Sequence, residues 1–140
     1  MNQKRKIRKN LVWVCVALGL YPLFVLIYTW VHVLQSSLEG GRHGPLDAYR
    51  HALASAVVAY TLGDPAVKLV TDLMESKGKE SNRMDRHNNR IGALIGAHAT
   101  SFAELEPSVR QKVSEGWAES KAPDCITWMP AAKWRSVKLW

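Results

Sequence analysis

From residue 11 to residue 34 the chain carries no Asp, Glu, Lys or Arg, and His32 is the one imidazole in that run. Such a stretch is expected to form a helix and needs apolar surroundings. About 20 apolar residues cross the hydrocarbon core of a bilayer, so the run predicts a transmembrane helix. Trp13 at one end, and Tyr28 and Trp30 at the other, suit the two interfaces. A cleaved signal peptide competes with this reading, but its apolar core spans only about 7 to 15 residues and ends in small residues. Val33-Leu34-Gln35-Ser36-Ser37 is a poor cleavage site, and Cys15 lacks the small residues that precede a lipoprotein cysteine.

Orientation follows from charge. Lys4, Arg5, Lys6, Arg8 and Lys9 precede the run, and the first basic residue after it is Arg42. The N-terminus is therefore expected in the cytoplasm and the rest of the chain outside it, in the periplasm of a Gram-negative cell. The expected organisation is a basic segment at 1–10, an inner-membrane span at 11–34, a linker at 35–45 and an exported helical domain at 46–140. Because five of the 19 Lys and Arg lie before the span, 14 face 12 Asp and Glu beyond it. The basic pI thus reflects topology and lipid attraction, and it argues against a nucleic-acid partner. Cys15 falls within the span, leaving Cys125 without an intradomain partner, so the domain must rest on its core, a metal or partner proteins.

The domain reads as all-α, with about four helices and an irregular Trp-rich end. Alanines at 48, 52, 54, 56 and 59 favour a helix over 47–61, opened by Pro45 and stopped by Gly63. Asp47, Arg50, His51 and Ser55 share one face of it. Asp64-Pro65 caps a second helix to residue 76, with Val67, Val70, Leu73 and Met74 as its apolar stripe and Glu75 near its end. Residues 77–82 read as a loop. A third helix is expected over 84–102, where Gly92 and Gly96 continue through Ala99 and Ala103 as a smooth stripe. Glycine costs about 1 kcal/mol in a helix interior, so the stripe implies close approach of another helix, the Ala-rich one being the natural partner. Pro107 starts a fourth helix with Val109, Val113 and Trp117 on one side. Beyond Pro123 the aromatic tail, with Trp128, Trp134 and Trp140, is expected to wrap the domain or dock on a partner or the bilayer surface.

The densest chemistry is Ser81-Asn82-Arg83-Met84-Asp85-Arg86-His87-Asn88-Asn89-Arg90-Ile91-Gly92, which runs straight into small apolar residues. If the first and third helices of the domain pack through their small faces, their polar starts meet. Asp47, Arg50 and His51 then face Asp85, His87, Asn88 and Asn89, with Glu75 nearby. Asp47, His51, Glu75, Asp85 and His87 are candidate ligands of a divalent metal. His51 or His87, oriented by Asp47 or Asp85, could do acid–base catalysis. Arg50, with Arg83 or Arg86, could clamp an anion. No His-Glu-x-x-His, cysteine pair, phosphate loop or nucleophile elbow is present, and Ser55 has no local signature. The plainer readings are a structural Asp47–Arg50–His51 ion pair, Asn88 and Asn89 as a capping network, and Arg83, Arg86 and Arg90 as a solvated face. His98 reads as a core histidine and His43 as exposed in the linker.

Asp47-Ala48-Tyr49-Arg50-His51-Ala52 and Met84-Asp85-Arg86-His87-Asn88-Asn89-Arg90-Ile91-Gly92 resemble an uncharacterised bacterial domain family. Its members share Asp-Ala-x-Arg-His and Met-Asp-x-His-Asn-Asn-x-x-Gly motifs, and some end secreted, toxin-like chains. The resemblance covers residues 44–99 and implies a polar site at Asp47, Arg50, His51, Glu75, Asp85, His87, Asn88 and Asn89. Members often have His before the middle Glu, where this chain has Met74.

Two functions follow from the sequence. The first is a membrane-anchored accessory subunit of a bacterial envelope complex, its partners lipid and other envelope proteins, its polar cluster holding the helices. The alternative is a membrane-anchored, metal-dependent hydrolase of an envelope phosphate ester, lipid-linked intermediate or peptidoglycan. The short chain, the missing nucleophile and Met74 favour the first.

Overall fold

A computed structural model of the chain describes residues 3–63, 65–68 and 80–136, without the side chains of 3–9, 11–13, 15–18 and 80. Its centre is the Ala-rich helix, here α2 (Pro45–Leu62), which follows α1 (Gln3–Gln35) and precedes α3 (Glu80–His98) and α4 (Leu105–Ser114). Pro45 occupies the first turn of α2, where its missing N–H costs nothing. Gly63, with φ +87°, closes the helix by donating its N–H to the Ala59 carbonyl. Leu46, Ala48, Tyr49, Ala52, Leu53, Ala56 and Val57 are buried on α2 alone. With Ile91 of α3, Leu105, Val109 and Val113 of α4, and Ile126, they form the main core. Each large side chain fully withdrawn from water contributes about 1.5–3 kcal/mol.

The α2–α3 contact sets the register of the domain. A Cβ on Gly92 would lie 2.1 Å from the Ala52 carbonyl oxygen, and one on Gly96 would lie 2.2 Å from that of Ala56. Both helices advance together across this contact, so they run parallel, backbone against backbone. The stripe stops there: Ala99 is half-buried and Ala103 exposed.

Several boundaries differ from expectation. α3 begins at Glu80 and ends at His98, and Phe102 lies in a 3₁₀ turn (Phe102–Glu104) rather than in the helix. His98 is exposed at the helix end, where its Nδ1 donates to the Leu94 carbonyl at 2.7 Å; it is no core residue. α4 buries Val109 and Val113, whereas Trp117 sits beyond it, exposed, in β1 (Trp117–Ala118). β1 pairs in parallel with β2 (Thr127–Trp128), Trp117 opposite Thr127. Of the expected second helix, residues 65–68 are helical; Met74 and Glu75 lie outside the described residues. Residues 35–45, expected as a linker, contain buried Ser36, Gly40, Gly41 and Gly44. Here the Glu39 and Gly40 carbonyls accept from the Leu46 and Asp47 N–H groups of α2.

Among the described residues, no helix is long and apolar enough to cross a membrane. This corrects the transmembrane, bitopic reading of residues 11–34. It also removes the inner-membrane placement, with a cytoplasmic N-terminus and a periplasmic domain, that depended on it. A span must be apolar all round, but α1 gives one side to the domain. Val33 is fully buried and Val25, Tyr28 and Trp30 pack on the core. The Tyr21 hydroxyl bonds Thr61, and Tyr28 meets Phe102 edge-on at 5.0 Å.

Candidate functional site

Asp47 and His51, one turn apart on α2, share a face. The parallel register brings Asp85 of α3 to the same place. His51 Nε2 lies 3.6 Å from Asp47 Oδ1 and 3.7 Å from Asp85 Oδ1. One donor atom from each residue falls within 4.8 Å of the others. Both His51 separations exceed hydrogen-bond length. Two ligands about 2.1 Å from a tetrahedral ion stand about 3.4 Å apart, so the spacing suits a shared cation. Two carboxylates and one imidazole favour a borderline or hard divalent ion such as Zn²⁺ or Mn²⁺.

Each carboxylate is held differently. Asp47 is buried, accepts the His43 N–H on Oδ2 at 2.6 Å, and pairs through Oδ1 with Arg50. Arg50 in turn donates to the Gly41 carbonyl at 3.3 Å and lies 5.6 Å from the centre of the Trp30 ring. Asp85 Oδ1 is buried without a hydrogen-bond partner. Burial, reinforced by the Asp47 charge, pushes the Asp85 carboxyl up to about 7, against the pull of Arg50, Arg42 and Arg86. A buried carboxylate oxygen without a donor is what a cation would satisfy. The His51 side chain keeps 27% of its surface exposed, so the cluster is reachable from solvent.

The remaining expected residues lie elsewhere. His87 turns away, its Nε2 donating to the Cys125 carbonyl at 2.7 Å. Asn88, fully buried, pairs with the backbone of Thr127: its Nδ2 donates to the carbonyl at 2.7 Å and its Oδ1 accepts the N–H at 3.0 Å. Asn89 Oδ1 accepts from the Ser55 hydroxyl at 3.0 Å. Arg90 reaches the Pro123 carbonyl. Glu75 lies outside the described residues. Among the described candidates Asp47, Arg50, His51 and Asp85 therefore meet, while His87, Asn88 and Asn89 tie α3 to its surroundings.

Two contributors carry no sequence signal. Trp30 hides in the apolar run, and His43 sits among glycines. His43 is not a free linker residue: its backbone is left-handed at φ +66°, its Nδ1 is buried, and its carbonyl accepts from the Met129 N–H at 2.8 Å. Burial holds its imidazole below the ordinary range, opposed by Asp47 and assisted by Arg42 and Arg135.

A family model described as a domain of unknown function, DUF6973, matches residues 31–120. The chain belongs to this family. Asp47, Arg50, His51 and Asp85 all fall inside the DUF6973 segment, whereas Trp30 and the Cys125, Thr127 and Pro123 carbonyls lie outside it. No curated protein and no solved structure matches the chain.

Proposed function

We propose that the DUF6973 domain of this chain is a divalent-metal-dependent hydrolase, with Asp47, His51 and Asp85 as the metal ligands. The observation that carries this reading is the unpartnered, buried Asp85 Oδ1 facing His51 and Asp47 across a gap of ion size. Three protein ligands leave positions open for water and substrate, the pattern of catalytic rather than structural sites. A bound divalent ion supplies a Lewis acid and an acidified water there. The chain's own part is to fix the ligands. Arg50 and the His43 amide hold Asp47, and the α2–α3 contact sets the distance to Asp85. His87 has no ligand role in this scheme.

Calorimetric titration of Mn²⁺ and Zn²⁺ into the full chain tests the proposal. One equivalent is expected to bind the wild type and His87→Ala, and binding is expected to fall at least about 10-fold in His51→Ala and Asp85→Asn. Binding that ignores both of those substitutions would remove the metal, and the hydrolase with it.

A second reading, an accessory subunit of a larger assembly, draws on α1. Leu20, Leu23, Ile27, Val31 and Leu34 form an exposed apolar row at helical spacing. Analytical ultracentrifugation supports this reading if the full chain sediments above monomer mass.

A further inference from the structure

The surroundings of the cluster carry more positive charge than a cation site needs. Arg50 is fixed against Asp47, Gly41 and Trp30. Arg42 is placed by backbone pairing with Arg135, the Arg42 N–H donating at 3.2 Å and the Arg135 N–H returning at 3.1 Å. It is exposed and directly precedes His43, whose amide holds Asp47. Arg86 follows Asp85 on α3. The charges of all three arginines act on the Asp85 carboxyl, so two carboxylates share three positive charges. Once a divalent ion neutralises both carboxylates, the site is strongly positive. Such a site binds the ion less tightly on its own than together with an anion.

Resting on the metal reading above, we propose that the site binds a phosphate monoester, its dianion bridging the ion and the guanidiniums of Arg50, Arg42 and Arg86. Arginine suits the role because its planar fork pairs two phosphate oxygens at once. A dianion matches the surplus charge better than a diester or a neutral sugar does. Arg50 is the positioned donor, locked at the rim by the Trp30 ring. Arg42, exposed on a fixed backbone, is free to follow the substrate.

The signature is coupling, which acts equally in both directions. Mn²⁺ titrated calorimetrically into the full chain, with and without submillimolar inorganic phosphate, reads it. Phosphate is expected to tighten Mn²⁺ binding about fivefold or more, and Mn²⁺ to tighten phosphate by the same factor. In the Arg42→Gln/Arg86→Gln double variant the coupling is expected to vanish, while Mn²⁺ alone binds as well as or better than in the wild type. Mn²⁺ bound with no response to phosphate overturns the monoester site and leaves the metal reading standing. No Mn²⁺ bound under either condition overturns both. Glycerol 3-phosphate and phosphatidic-acid vesicles present the same group from soluble and lipid sources. Displacement of phosphate by one identifies the source, and displacement by neither overturns the monoester.

Discussion

Asp85→Asn is the sharpest test of the cluster, because it separates the cost of the charge from its use. The Asp85 carboxyl is pushed from an ordinary 3.8 up to about 7 by burial and by the Asp47 charge. A group raised on folding contributes stability that is fully present below its unfolded value and is lost as pH rises through the folded one. The wild type should therefore lose stability between about pH 4 and pH 7, relative to the variant that cannot ionise. Three pKa units at about 1.36 kcal/mol each give a ceiling near 4 kcal/mol. The solvent that reaches the partly exposed Asp85 side chain reduces this toward about 2 kcal/mol. Urea melts of both proteins at steps from pH 4 to pH 9, free of divalent metal, measure the difference directly. The variant should gain on the wild type up to about pH 7 and hold a constant lead above it. Saturating Mn²⁺ should then restore the wild type alone, by about 2.7 kcal/mol at 100 times its dissociation constant. Parallel pH profiles would refute the reasoning, since they would mean that Asp85 ionises normally in the folded chain.

Four further substitutions probe the same packing and site. Gly92→Ala forces a Cβ to within 2.1 Å of the Ala52 oxygen, so thermal melting should show a loss of about 3 kcal/mol or failure to fold; a near-neutral effect would deny the backbone contact. Asn88→Ala orphans both backbone groups of buried Thr127 and should cost about 2–4 kcal/mol in denaturant melts, with Mn²⁺ affinity unchanged in the folded fraction. Glu106→Gln weakens the acceptor shared by the Tyr49 hydroxyl at 2.7 Å and Arg110 Nε at 2.8 Å, and should cost about 1 kcal/mol; no change would leave that network without structural weight. Trp30→Leu should loosen Arg50 and lower the phosphate coupling, and an unaltered coupling would sever α1 from the site.

Much of this arrangement was visible in the residues. The alanines of α2, the Gly92–Gly96 stripe and their mutual contact follow from small side chains at helical spacing. The stripe also held a discrimination that the motif alone concealed. Asp85, Asn88, Asn89 and Gly92 fall on one side of α3, but His87 stands two residues past Asp85, about 200° around the helix. Only one of the pair can face α2, and the glycines decide for Asp85. The apolar run misled because a helix docked on a protein core and one immersed in lipid share a composition. What separates them is Phe102 and α2 packed along one side of α1, and no local pattern announces that. The partners of His87 and Asn88 come from an irregular segment near Cys125 and Thr127, where no periodicity exists to be read. His43 sits among glycines that suggest looseness. Instead, Gly40 and Gly44 approach so closely that a Cβ on Gly44 would lie 2.5 Å from the Gly40 Cα, and that contact fixes the loop.

The pairing of Asn88 with Thr127 separates two meanings of the word domain. The segment shared with the family ends at residue 120, but the amide buried at its heart is answered seven residues later. What is inherited as a unit and what melts as a unit are therefore different lengths of chain. Moving the shared segment alone into another protein would carry Asp47, His51 and Asp85 across and leave Asn88 without the strand that completes it.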